Sequence, residues 1–216
     1  MEKAVTHYDS QYFNKFQKEI GILTGKLGMF FFQKFIKETD SVLDFGCGGG
    51  YILKNLNCKN KIGVELNDYA RNIAIDNGID CTKYLNNIKD NSIDIVISNH
   101  CLEHVVSPSE VLKELYKKIK VGGKVIIVVP CESWTHNYKP NDINYHLYTF
   151  SPMNFGNLLD NAGFKNISVT TDFNKWPPKF HIFYKLLGIK LFRVLSKLYG
   201  FINRKTINIV GYAEKV

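Results

Sequence analysis

Ser41-Val42-Leu43-Asp44-Phe45-Gly46-Cys47-Gly48-Gly49-Gly50-Tyr51 is the stretch on which the reading of this chain turns. The apolar pair before Asp44 predicts a buried strand. Gly46, Gly48 and Gly50, with Gly49 as an extra, predict a loop without side-chain bulk that opens a helix. Glycine at this spacing permits positive φ and lets the main chain approach a ligand, while the following helix N-terminus offers free N–H groups to negative charge. A cofactor is expected here. The dinucleotide fingerprint G-x-G-x-x-G would need glycine at position 51, where the chain has Tyr51. A phosphate-binding loop fits less well, because no Gly-Lys-Ser/Thr follows.

The chain around this stretch has 216 residues, 45% hydrophobic and 22% charged, enough for one domain with a full core spanning 1–216. Its N-terminus has no apolar run that would serve as a signal peptide, and no uncharged stretch is long enough to cross a bilayer. The cysteines Cys47, Cys58, Cys81, Cys101 and Cys131 are odd in number and never spaced C-x-x-C. That predicts reduced thiols and a cytoplasmic location, and argues against a disulfide frame or a structural zinc. The net charge of +8 is localised: between Asp172 and Glu214 there is no acidic residue, while Lys175, Lys179, Lys185, Lys190, Arg193, Lys197, Arg204 and Lys205 are basic. The remainder is neutral, so no nucleic-acid surface is expected.

Outward from the glycine loop, residues 1–39 read as a helical cap, rich in aromatic residues, with Gly21, Gly25 and Gly28 before an apolar helical run from Met29 to Ile36. Downstream, Tyr51–Leu56 reads as a helix and Lys61–Glu65 as a second strand. Glu65 closes that strand 19 positions after Gly46, where a carboxylate can accept hydrogen bonds from both hydroxyls of a ribose. Asp68–Asn77 is helical with Gly78 as its stop, and Ile79–Leu85 is a weak third strand. Ser92–Ser98 is apolar on both faces, as a central parallel strand should be. An amphipathic helix at Ser109–Lys120 precedes a buried strand in 121–130. Repeated βα units at this spacing predict an α/β, doubly wound parallel sheet. Residues 131–150 are too polar and aromatic for the sheet and form a long loop, Ser151-Pro152 opens another helix, and strands follow at Lys165–Thr171 and Thr206–Lys215. Between those last strands, 173–205 is a basic amphipathic insertion.

The D-x-G-x-G-x-G pattern of Asp44, Gly46, Gly48 and Gly50 resembles the first motif of the class I S-adenosylmethionine-dependent methyltransferases. Asn99-His100-Cys101-Leu102-Glu103-His104-Val105 is similar to that family's S/N-x-x-L-E-H-V segment after the fourth strand. His146-Leu147-Tyr148-Thr149-Phe150-Ser151-Pro152 begins a block similar to its H-L-x-x-F-S-P. The resemblance covers about residues 40–170. It implies a Rossmann-like sheet of seven strands with an antiparallel last strand and helices on both faces. It further implies S-adenosylmethionine as cofactor, with Asp44, Gly46, Cys47, Gly48 and Gly50 around its methionine part and Glu65 and Leu66 at the ribose. Tyr84, Leu85 and Asn86 are its candidates near the adenine, and Asn99 lies at the end of the fourth strand beside the cofactor. The family also uses N-terminal helices as lids, a role open to the cap.

Methyl transfer to an alkyl hydroxyl needs a base, and histidine is the usual one. His146, in the polar aromatic loop, is the first candidate and His100 the second, while His104 is expected to be structural. His100, Glu103 and His104 also match H-x-x-E-H, an inverted zincin motif. That site needs both histidines on one face of a long helix plus a distant ligand, and Pro108 interrupts any helix, so no metal is expected. Trp134, Tyr138, Tyr145 and Tyr148 alternate with Asn137, Asn141, Asp142 and Asn144, which suits a sugar. The expectation is O-methylation of a small hydroxylated acceptor such as a surface-glycan sugar. Methylation of a lipid, quinone or other metabolite, or cofactor binding without turnover, are the alternatives. The 173–205 insertion suits an anionic membrane surface, a lid over the site or a dimer contact.

Overall fold

The protein was analysed as a computed structural model that describes residues 18–133, 135–140, 142, 144–204 and 206–216. Of the sequence expectations, residues 1–17 of the cap, Trp134 and Asn141 of the loop and Lys205 of the insertion lie outside these.

In chain order the elements are α1 (Lys18–Phe32), β1 (Ser41–Phe45), α2 (Tyr51–Asn55), β2 (Asn60–Val64), α3 (Asp68–Asp76), β3 (Asp80–Thr82), β4 (Ile93–Asn99), α4 (Pro108–Lys118), β5 (Ile119–Glu132), α5 (Pro152–Asn161), β6 (Lys165–Asp172), α6 (Phe180–Ile202) and β7 (Thr206–Glu214). The strands form a seven-stranded sheet in the order β3-β2-β1-β4-β5-β7-β6. β1 to β5 pair in parallel, and β7 runs antiparallel between β5 and β6. The order reverses between β1 and β4, which is the switch point where such sheets bind ligands beyond the carboxyl ends of their strands.

Alternate residues of the central strands feed separate cores. Leu43, Val125, Ile127 and Val129 pack with Leu112 and Leu115 of α4 and with Phe155 and Leu159 of α5. Val42, Ile126 and Val128 face the opposite way and pack with Phe32 of α1, Leu53 of α2 and Ala74 of α3. Gly211 of β7 is needed for the first core: a Cβ there would stand 2.4 Å from the Phe155 ring, whose burial is worth about 1.5–3 kcal/mol.

Several boundaries differ from the sequence expectation, each for a local reason. The cap helix begins by Lys18 and incorporates Gly21, Gly25 and Gly28. These glycines form its contact face: a Cβ at Gly25 would lie 2.5 Å from the Tyr51 carbonyl, and one at Gly21 would lie 2.6 Å from the Tyr51 ring. The third strand is confined to Asp80–Thr82, and Leu85 and Asn86 turn in a 3-10 segment. α4 stops at Lys118, whose ammonium is buried and held by Asp90 at 2.6 Å, so the next strand begins at Ile119 rather than 121. α6 is broken at Gly188 (φ 66°, ψ 175°).

Candidate functional site

The glycine loop leaves β1 with Gly46, Gly48 and Gly50 all at positive φ (77°, 52° and 72°). A side chain at Gly46 would put its Cβ 2.2 Å from Cys101 Sγ, and one at Gly50 would put it 2.7 Å from Ile79. The loop is fastened to the end of β2, where the N–H groups of Gly46 and Cys47 donate to the Val64 carbonyl at 2.8 and 3.2 Å. Cys47 is buried beneath the loop, its thiol 3.5 Å from that of Cys81 and 3.6 Å from the Gly48 carbonyl, to which it donates.

Glu65 has a structural task that the sequence did not disclose. One carboxylate oxygen accepts the Gly48 N–H and the other the Asn67 N–H, both at 2.9 Å, so the side chain braces the glycine loop against the start of α3. Asn67 in turn caps α3 by accepting the Ala70 N–H at 3.0 Å. Burial raises the Glu65 pKa, against the hydrogen bonds from Asn67 and Gly48. Asp44 is 2% exposed and its Oδ1 has no hydrogen-bond partner among the described residues. Burial first, and then the charge of Glu65, push its pKa up to about 8. A buried carboxyl group with an orphaned oxygen, at the foot of a loop whose side-chain space is closed, fits a cationic ligand. Leu66 and Tyr84 are largely exposed beyond the ends of β2 and β3, and Asn99 ends β4. The candidates thus fall along the carboxyl edge of β1, β2, β3 and β4.

The second half of the site surrounds Glu103. Leu102–His104 forms a 3-10 turn after β4, preceded by His100 at φ 52°. Residues 144–150 lie over this turn because the N–H groups of Leu147 and Tyr148 donate to the Glu103 main-chain carbonyl at 2.9 and 3.1 Å. The Tyr148 hydroxyl also donates to the Val106 carbonyl at 2.8 Å. His146 is thereby delivered beside His104, with ring centroids 4.9 Å apart. The Glu103 side chain has no exposed surface. Its Oε1 lies 3.4 Å from His100 Nδ1, 3.7 Å from His104 Nε2 and 3.9 Å from His146 Nε2. The other nitrogen of His146 meets Glu132 at 3.0 Å.

These contacts set the proton affinities. Burial pushes the His100 imidazole down, but the hydrogen bond and charge of Glu103 more than offset it, and its pKa ends above the usual value. Burial pushes Glu103 up, and His100 and His104 outweigh it, leaving the carboxyl group below its usual range. His104 is lowered, first by burial. The His100 side chain is 39% exposed, so solvent moderates its interactions.

The structure therefore brings His100, His104 and His146 together on one carboxylate. The sequence placed Glu103 only in a metal motif that was set aside, and gave no role to Glu132. The signal for Glu103 was an acid within an apolar Leu-Glu-His-Val run, a place where an unpaired charge is not stable.

Comparison with known proteins identifies the family. The family described as "Methyltransferase domain" matches residues 12–169. Phosphoethanolamine N-methyltransferase 3 of Arabidopsis thaliana is 26% identical over 154 residues, 61% of this chain and 30% of that protein. The malonyl-[acyl-carrier protein] O-methyltransferase of Marinomonas sp. (strain MWYL1) is 31% identical over 103 residues, 42% of this chain and 38% of that one. The chain thus spans less than a third of the plant enzyme's length. Among solved structures, an S-adenosylmethionine-dependent methyltransferase of Archaeoglobus fulgidus shares the fold with a TM-score of 0.63 at 20% identity, covering 95% of this chain and 98% of its own. With its glycine loop, switch-point edge and a family match over most of its length, the chain belongs to the class I S-adenosylmethionine-dependent methyltransferases.

Proposed function

We propose that this protein methylates an oxygen of a small hydroxylated acceptor, with a sugar of a bacterial surface glycan as the substrate class. The observation that carries the reading is the His100–Glu103 pair: a partly exposed imidazole, oriented at 3.4 Å by a fully buried carboxylate, at the carboxyl edge of β4. When bound, the cofactor supplies a methyl group on a sulfonium, open to in-line displacement. The loop from Asp44 to Gly50 holds its methionine part, with Asp44 beside the cationic groups. Glu65 turns its remaining lone pairs to the ribose, and Leu66, Tyr84 and Asn99 border the remainder.

His100 takes the proton from the acceptor hydroxyl, and Glu103 stabilises the charge that forms on it. His146 was the first sequence candidate for this task. Both its ring nitrogens face carboxylates, at 3.0 Å and 3.9 Å, so we assign it to holding the acceptor segment against Glu103. The half-exposed Tyr148 and Tyr145 of that segment supply aromatic faces for a sugar. The free cysteines fit a reducing cytoplasm.

A second reading, an acceptor carried on a lipid, is favoured by the exposed apolar face of α6, which carries Leu191, Val194 and Leu198. Among the described residues no helix is long and apolar enough to cross a membrane, so contact would be peripheral.

The test is transfer of labelled methyl from S-adenosylmethionine into a host lysate separated into polar small-molecule, glycan, lipid and protein fractions. Label in a polar or glycan fraction, falling about 10²–10⁴-fold with His100→Ala, is expected. Label in lipid transfers the conclusion to the second reading. Absence of label from all fractions, with cofactor bound, makes the protein a binding module.

A further inference from the structure

We propose that Glu103, His104 and His146 form a binding site for a first-row divalent transition-metal ion, with an open coordination position facing the acceptor side. The sequence around His100, Glu103 and His104 lacks the long helix of an inverted zincin and shows no distant ligand. The fold supplies the distant ligand by laying residues 144–150 over the 102–104 turn. Ligand atoms of the three side chains all lie within 4.8 Å of one another.

Other observations point the same way. Glu103 has no exposed surface, and among the described residues its Oε1 is met by imidazole nitrogens alone, at 3.4 Å from His100, 3.7 Å from His104 and 3.9 Å from His146. A buried anion in that condition calls for a cation. The two histidines each present one nitrogen to Glu103 and are held by the rest of the ring. His146 Nδ1 meets Glu132 at 3.0 Å, and the His104 ring hydrogen-bonds the main chain at Tyr145. This is the outer arrangement that fixes tautomer and aim in metal-bound imidazoles. Bonds of about 2.0–2.2 Å in a tetrahedral shell put ligand atoms about 3.4 Å apart. The separations of 3.7 and 3.9 Å to Glu103 need only small side-chain movements to reach it. Two imidazoles and one carboxylate suit zinc, cobalt or manganese rather than calcium or magnesium. The remaining position is open to water or an acceptor oxygen, whose proton then leaves more readily to His100.

The purpose of such an ion rests on the proposed acceptor site, but its test does not. Tag-free protein is stripped with EDTA and titrated with Zn²⁺ by calorimetry and with Co²⁺ by visible absorption, without acceptor or methyl donor. One equivalent of each metal, with the d–d bands of a four- or five-coordinate Co²⁺ ion, is expected. Glu132→Gln should weaken binding about 10–100-fold, and His146→Ala should weaken it further. His136→Ala, at an exposed position of the same segment, should bind as the parent does. Glu103→Gln is read only if its melting transition is retained, and His146→Ala carries the test otherwise. No stoichiometric uptake by the parent, or uptake equal in the parent and in His146→Ala, overturns the proposal while leaving methyl transfer to be judged by its own assay.

Discussion

At the scale of single residues the proposed cofactor end of the site turns on Glu65, which braces the glycine loop and is proposed to hold the ribose as well. Its oxygens already hold the Gly48 and Asn67 N–H groups, and the ribose reading asks the same oxygens to accept hydroxyl protons on their free lone pairs. Glu65→Ala should therefore weaken cofactor binding by about 1–3 kcal/mol, the range for hydrogen bonds to a charged group. Calorimetric titration with S-adenosylmethionine measures this directly, and an unchanged affinity would remove the ribose assignment. Gly46→Ala should be worse: φ is 77° and the new Cβ would stand 2.2 Å from Cys101 Sγ, so little cofactor binding should survive. The glycines and Glu65 were legible in the sequence because their chemistry is local, a strand, a turn and an acid at fixed spacing. The cluster on Glu103 was not, because His146 is 42 residues beyond His104 and meets it only through main-chain hydrogen bonds that no side-chain pattern encodes.

At the scale of elements, α1 and α6 distinguish this chain. The glycine stripe of α1 brings its backbone onto Tyr51, directly behind the glycine loop, so the cap supports the cofactor end of the sheet. α6 packs inward through Phe192, which joins Leu23 and Leu27 of α1, and through Gly200, which lies against the Phe173 carbonyl. Beyond the break at Gly188 its outward face carries Leu191, Val194, Leu198 and Phe201 at helical spacing, beside Lys190 and Lys197. The amphipathic pattern was readable, but two of its features were not. Gly188 breaks the helix, and Arg193, which the sequence groups with the basic stripe, stacks over Phe30 at 3.7 Å. An apolar face rimmed by lysines, in a stretch with no acidic residue between Asp172 and Glu214, suits anionic lipid. The intact protein should sediment with vesicles rich in phosphatidylglycerol and much less with pure phosphatidylcholine. Leu191→Glu with Leu198→Glu, at positions 60% and 59% exposed, should abolish sedimentation while stability stays within about 0.5 kcal/mol per site. An intact protein that stays in the supernatant with the anionic vesicles rules out membrane contact.

For the whole molecule, the parallel strands β1, β2, β4 and β5 were legible in the sequence as apolar runs alternating with helices, whereas β3, Asp80-Cys81-Thr82, gave only a weak signal. The antiparallel run of β7 beside β6 came from family resemblance, since an alternating pattern at 206–215 fits any sheet edge, and its place between β5 and β6 came from the structure. The global property the site should govern is the dependence of stability on pH, through Asp44. In the unfolded chain this carboxyl group titrates near 3.8, and burial raises it to about 8 in the folded, cofactor-free protein. Below pH 4 both states keep the proton and Asp44 contributes nothing to the difference. Between pH 4 and 8 the unfolded state has released the proton and the folded state retains it, so stability falls as pH rises. Above pH 8 both are ionised and the penalty is constant, on the order of a few kcal/mol. Asp44→Asn removes the penalty, and denaturant melts of both proteins without cofactor should give a stability gap that opens between pH 4 and 8 in favour of the variant. Parallel profiles across that range would place Asp44 in a better-solvated setting than its orphaned oxygen implies. With S-adenosylmethionine present the gap should close or reverse, because a cationic ligand makes the ionised carboxylate the favoured partner and Asn cannot supply that charge.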